Sequence, residues 1–170
     1  MSYPFNMRAL SIILLSAWLA ACGGSGGGDS SGALSLKDLD GTWAGDCIVD
    51  GAFSNMSQVI ISNGTANETL TGYAGTTCSG SVLTMDTFVT SIALGGAVTV
   101  DGSVASITVA TEIDITDMTP MSAQYGEVSY DLIAIQGNRF YLGLVDGVND
   151  GSTPALRPAQ LDDKLVYTRI

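Results

Sequence analysis

Apolar and polar residues alternate along most of this chain. In the clearest stretch, Ala105, Ile107, Val109, Thr111, Ile113 and Ile115 share one face, and Ser106, Thr108, Ala110, Glu112 and Asp114 share the other. A period of two puts successive side chains on opposite sides of a strand, so this pattern predicts a half-buried β-strand. Phe140, Leu142 and Leu144 alternate with Arg139, Tyr141 and Gly143 in the same way, and Val128 to Ile135 is a further β-rich run. Turn pairs separate such runs: Asn63-Gly64, Asp101-Gly102, Gly137-Asn138 and Asp146-Gly147. The pattern predicts about eight strands, near 41–49, 56–62, 66–73, 81–93, 97–100, 103–116, 127–136 and 139–145, with a last run from Lys164 to Ile170. Ser35 to Asp40 has room for one helical turn, and no longer amphipathic helix is present. The expected fold class is all-β: a single antiparallel up-and-down β-barrel, with a β-sandwich as the alternative. Closure is preferred because it removes exposed edges from a chain rich in threonine and valine.

The first residues follow another pattern. Arg8 precedes an apolar run from Ala9 to Ala21, broken only by Ser11 and Ser16. Its length of about 13 residues suits the apolar part of an export signal and falls short of the roughly 20 needed to span a bilayer. The run ends in Leu19-Ala20-Ala21-Cys22. This resembles the lipobox of bacterial lipoproteins, in which the cysteine takes a diacylglycerol before the leader is cut away. The resemblance implies a signal peptide at 1–21 and lipidation of Cys22, hence a lipid bilayer as the anchoring partner. Residues 22–34 contain Gly-Gly-Ser-Gly-Gly-Gly at 23–28, a composition that forms a flexible tether rather than a core. The barrel domain is then 35–170. Gly23 in place of an aspartate favours, by analogy with enteric bacteria, the outer membrane of the cell envelope.

Composition narrows the partners. The formal net charge is −11, and removing residues 1–21 takes Arg8 from the 6 basic residues while leaving all 17 acidic ones. So acidic a surface repels phosphate backbones, and nucleic acid is not expected to bind. With Cys22 assigned to lipid, Cys47 and Cys78 remain. In an oxidising compartment two thiols pair most simply with each other, closing a loop of about 32 residues that contributes about 3–4 kcal/mol. Metal is the poorer alternative, because the chain has no histidine and two thiolates do not complete a zinc site.

Leu39-Asp40-Gly41-Thr42-Trp43 resembles the Gly-x-Trp opening strand of lipocalins and other calycins. The wider pattern is similar to that of small lipocalin-like bacterial lipoproteins: Gly41-Thr42-Trp43 with Cys47, Tyr73 with Cys78, Arg157-Pro158, and a terminal Tyr167-Thr168-Arg169. The resemblance implies that Trp43 plugs one barrel end and packs beside Arg169. The Thr-Asp-Tyr turn of typical lipocalins is absent, so the fold is expected to be lipocalin-like in the broad sense.

Catalytic constellations are sparse. Without histidine, the Ser-His-Asp and Cys-His arrangements cannot form, and neither a Gly-x-Ser-x-Gly elbow nor a Ser-x-x-Lys pair occurs. Glu112 and Asp114 have the spacing of a glycosidase pair, but a solvated strand face accounts for them more simply. Asp146 to Gly151 faintly resembles a calcium loop, yet Val148 stands at a ligand position and Arg157 where a terminal Glu belongs, so a turn-rich loop is the better account. Asn55, Asn63 and Asn67 begin glycosylation sequons that are coincidental behind a bacterial leader. No enzyme activity and no cofactor are expected. The function expected is a non-catalytic structural or interaction role in the envelope; the alternative is a carrier with a small apolar ligand in the barrel.

Overall fold

The computed structural model describes residues 32–170. The signal at 1–21, Cys22 and most of the tether at 22–34 therefore lie outside the described residues. A one-turn helix α1 (Leu36–Leu39) leads into nine strands: β1 (Gly41–Gly45), β2 (Ile48–Asp50), β3 (Phe53–Ser62), β4 (Thr65–Ala74), β5 (Val82–Thr99), β6 (Val109–Asp117), β7 (Val128–Gln136), β8 (Arg139–Gly143) and β9 (Leu161–Arg169). Each strand from β3 to β9 pairs antiparallel with the next, and β1 pairs with both β3 and β9. The result is a closed eight-stranded antiparallel barrel with β2 as an additional short strand on β3, not a sandwich.

The strands differ from the sequence pattern in four places. The run at 41–49 is split, because residues 45–47 face only Met56 and Ser57 on β3 and interrupt the ladder between β1 and β2. The runs at 81–93 and 97–100 are a single strand, since Gly95–Gly96 forms a bulge where the register with β6 skips from Leu94 to Ala97. The stretch 103–108 is not strand, because Ala105 and Ser106 adopt positive φ in a turn over the outer wall. The last strand begins at Leu161, three residues before the expected Lys164, through pairing of Leu161 with Gly143.

Two apolar clusters flank the barrel wall. The register places Trp43, Val59, Ile61, Ile113, Ile133, Phe140 and Tyr167 on the inner face, where they form one buried core with Leu39. Ala110, Leu132, Ala134, Tyr141 and Val166 point outward, and Val100, Val104 and partly buried Ile107 from the β5–β6 connection cover them. The wall from β6 to β9 is thus packed on both faces, which explains why Leu132, Ile133 and Ala134 are all buried.

Strand direction defines the two ends. The hairpins at 63–64 and 137–138, the 100–108 connection and α1 lie at one end, here the plugged end. Residues 46–52, 75–81, 118–127 and 144–160 lie at the other, the mouth.

Candidate functional site

Trp43 sits at the plugged end with 0% exposure. Its Nε1 donates to the Leu39 carbonyl at 2.8 Å, so α1 closes over the indole and satisfies its only donor. Phe140 meets the indole edge-on with centroids 4.9 Å apart, and Tyr167 stacks on Phe140 at 4.5 Å. Arg169, paired with Trp43 across β1 and β9, lays its guanidinium over the indole at 4.3 Å. The same guanidinium donates to the Asp38 carbonyl at 2.7 Å. Gly41 lies beside both, with φ 142°, a conformation that side-chain-bearing residues rarely adopt. Ser35 and Asp38 lock α1 as a capping box, and the hydrogen bonds from Ser35 hold the Asp38 carboxyl below the usual carboxylate range.

Around the plug are two open hollows. One, of about 400 Å³, is lined by Leu36, Lys37, Asp40 and Asn63. The other, of about 640 Å³, lies among Leu34, Lys37, Asp38, Ile135, Asn138 and Arg169. Both lie beside α1.

The lumen itself is filled next to the plug by the inner core. Midway up, Ser57 donates to Glu68 beside the Tyr167 ring. Burial pushes the Tyr167 hydroxyl well above its ordinary range, and the Glu68 charge adds to the effect while the Ser57 hydrogen bond opposes it.

The mouth is clasped by a disulfide. Cys47, just after β1, bonds to Cys78 in the β4–β5 connection, with Cα atoms 5.8 Å apart. Nearly all the exposed large hydrophobics among the described residues are at this end: Ile48, Val49 and Phe53; Val82, Leu83, Met85 and Phe88; and further ones in the 118–127 and 144–160 loops. Only Ile60 and Ile170 lie elsewhere. Among the described residues the first part of β5 pairs with β4 alone, since β6 joins β5 only from Thr90↔Asp117 onward.

Glu112 and Asp114 do share one outer strand face, but they do not form a solvated pair. Arg157, from the long β8–β9 connection, comes between them. Its guanidinium donates to Asp114 Oδ1 at 2.7 Å, lies 3.5 Å from Glu112 and covers the Tyr130 ring at 5.5 Å. It also donates to the main-chain carbonyls of Ile113 and Asp131. This is a loop latch, with no carboxyl pair facing an open cleft. The Asp146 loop is a turn: its carboxylate accepts from the Val148 and Asn149 amides. Among the described residues no group of three Asp, Glu or Cys side chains is placed to hold a metal ion.

One further carboxylate, half-buried, had no sequence signal beyond its place in an apolar run. Asp131 inserts between β7 and β8 where their ladder stops, accepting from Leu132 N at 2.6 Å and Gly143 N at 2.9 Å. Burial raises its pKa to about 6, although both amides and Arg157 pull the other way. Gly143 admits this approach: a Cβ there would lie 2.3 Å from the Asp131 carboxylate and 2.6 Å from Pro158.

No protein-family model matches the chain, and neither a curated protein nor a solved structure is similar enough to count as a match.

Proposed function

We propose that the chain is a lipid-anchored bacterial envelope lipoprotein with a non-catalytic structural or interaction role. Residues 1–21 direct export, acylated Cys22 holds the protein to the membrane, by preference the outer one, and the barrel is a calycin-type platform. The observation that carries the reading is the distribution of apolar side chains. Trp43, Phe140, Tyr167 and their neighbours occupy the lumen beside the plug, while the exposed apolar residues gather at the mouth, where exposed patches serve contact with partners. The Cys47–Cys78 disulfide fits an oxidising compartment.

Metabolic labelling with a palmitate analogue, together with mass spectrometry of the mature N-terminus, tests the anchor. Wild-type protein should carry the label on Cys22, and Cys22→Ser should lose it. An unmodified mature N-terminus at any other residue overturns the reading.

A carrier role is favoured by one observation: Phe88 and Leu70, on the inner face of the mouth half, are not fully buried. Saturable binding of a fluorescent fatty acid that Leu70→Asp abolishes would support it, and the filled-platform reading expects no such binding.

A further inference from the structure

We propose that the free edge of β5 at the barrel mouth docks an extended, cationic polypeptide segment that joins the sheet as an added strand. The proposal rests on the interaction reading above and names the partner's chemistry.

The edge follows from the pairing. Val89 turns its N–H and carbonyl away from β4, where Thr119 Oγ1 and the Met118 amide take them. Alternation along the strand turns the main-chain groups of Thr87 and Met85 to the same side. There β6 has already ended, and among the described residues β4 is the only strand that pairs with this part of β5. These donors and acceptors form a template for another strand. Natural edges are usually blunted by lysine or proline. Leu83-Thr84-Met85-Asp86-Thr87 contains neither, and Met85 is 63% exposed. The local register shift lies at Leu83, leaving Thr84 to Thr87 regular.

Charge selects the occupant. Asp86, on the same face as Phe88, lies between Met85 and Thr87 of this edge, and Asp117 and Glu127 lie in or beside the neighbouring loop at the mouth. The cations among the described residues are elsewhere. Lys37, Arg139 and Arg169 are at the plugged end, Arg157 is held by Glu112 and Asp114, and Lys164 lies on β9 across the barrel. A basic strand gains from this field and an acidic one is repelled. A second copy, with its formal charge of −11, would bring like charge to like.

The experiment uses the processed lipoprotein in detergent and two labelled peptides, one alternating valine with lysine and one alternating valine with glutamate. Fluorescence anisotropy should show the lysine peptide binding at one site, about tenfold or more tighter than the glutamate peptide, and weakening with salt. Met85→Pro removes an outward N–H without taking a bond from β4 and should weaken binding at least about tenfold, with Trp43 emission unchanged. Asp86→Lys leaves the backbone intact and should also weaken it, which keeps the test open if the proline variant does not fold. Equal binding of both peptides, or insensitivity to Asp86→Lys, overturns the proposal. So does a dimer in sedimentation that Met85→Pro dissolves, which would assign the edge to a second copy. The anchoring role is read separately by Cys22 labelling, so either can fail without the other.

Discussion

At the scale of the residue, Trp43 and Asp131 show opposite uses of burial. Trp43 gives its whole ring to the core and satisfies its one donor on Leu39. Trp43→Ala should therefore cost about 3–5 kcal/mol in chemical denaturation, as for other large buried aromatics. Arg169→Ala removes a guanidinium exposed on one side, and should cost less, about 0.5–1 kcal/mol, while shifting the indole emission. Trp43 is the sole tryptophan among the described residues, so that emission reports on the plug directly. Asp131 is half-buried, and desolvation raises its carboxyl pKa to about 6 against an ordinary 3.8. Between those values the folded chain keeps a proton that the unfolded chain releases, so stability falls as pH rises from about 4 to 6 and is then flat. The size is on the order of 3 kcal/mol at pH 7. Asp131→Asn keeps an oxygen for the Leu132 and Gly143 amides. It should raise stability at neutral pH and flatten this slope in denaturation curves taken at stepped pH. Parallel pH profiles for the two proteins would remove Asp131 as the cause.

At the scale of the element, most strands were legible because period two survives wherever one face is buried. Ile113 and Glu112 mark the two faces of β6 without ambiguity. The failures have local causes. Gly95–Gly96 looks like a strand end and is a bulge inside β5, because only the partner strand decides whether a glycine pair breaks a ladder or bends it. Ala105 and Ser106 continue the alternation yet take positive φ, and nothing in their side chains announces it. The Arg157 latch was not legible either: it joins residues 43 positions apart, Arg157 and Asp114, and sequence spacing carries no such information. Its removal defines a prediction for the long β8–β9 connection. Arg157→Ala should leave Glu112 and Asp114 facing each other without a cation. Both carboxylates are partly exposed, so the loss is reduced by solvent to about 1–3 kcal/mol. Limited proteolysis should then cut first within 144–160. The disulfide acts at the same scale on the other side of the mouth. Replacing Cys47 and Cys78 with serine should cost about 3–4 kcal/mol, yet leave far-ultraviolet circular dichroism unchanged in native conditions, since the inner core lies toward the opposite end.

At the scale of the whole molecule, the chain enters the barrel at the plugged end. Leu34 N donates to the buried Thr111 hydroxyl at 2.8 Å, and Leu34 packs against the inner core. If Cys22 carries lipid, eleven residues lie between the anchor and this docking point. A nine-residue strand such as β9 is about 30 Å long, so an anchor joined to the chain at the plugged end would draw that end, rather than the mouth, toward the membrane. The plugged end, with Lys37, Arg139 and Arg169, then faces the bilayer, and the acidic, apolar mouth faces away from it. This arrangement is consistent with a mouth that meets a polypeptide rather than the anchoring membrane. It predicts an asymmetry in depth. A fluorophore attached at Asn138→Cys, in the plugged-end hairpin, should be quenched by bilayer-bound spin labels in reconstituted vesicles. The same fluorophore at Val148→Cys, in the mouth loop, should be quenched much less. Cys22→Ser should abolish the difference by releasing the protein from the vesicles. Stronger quenching at residue 148 would mean that the apolar mouth lies on the membrane, and the orientation argued from the tether would be wrong.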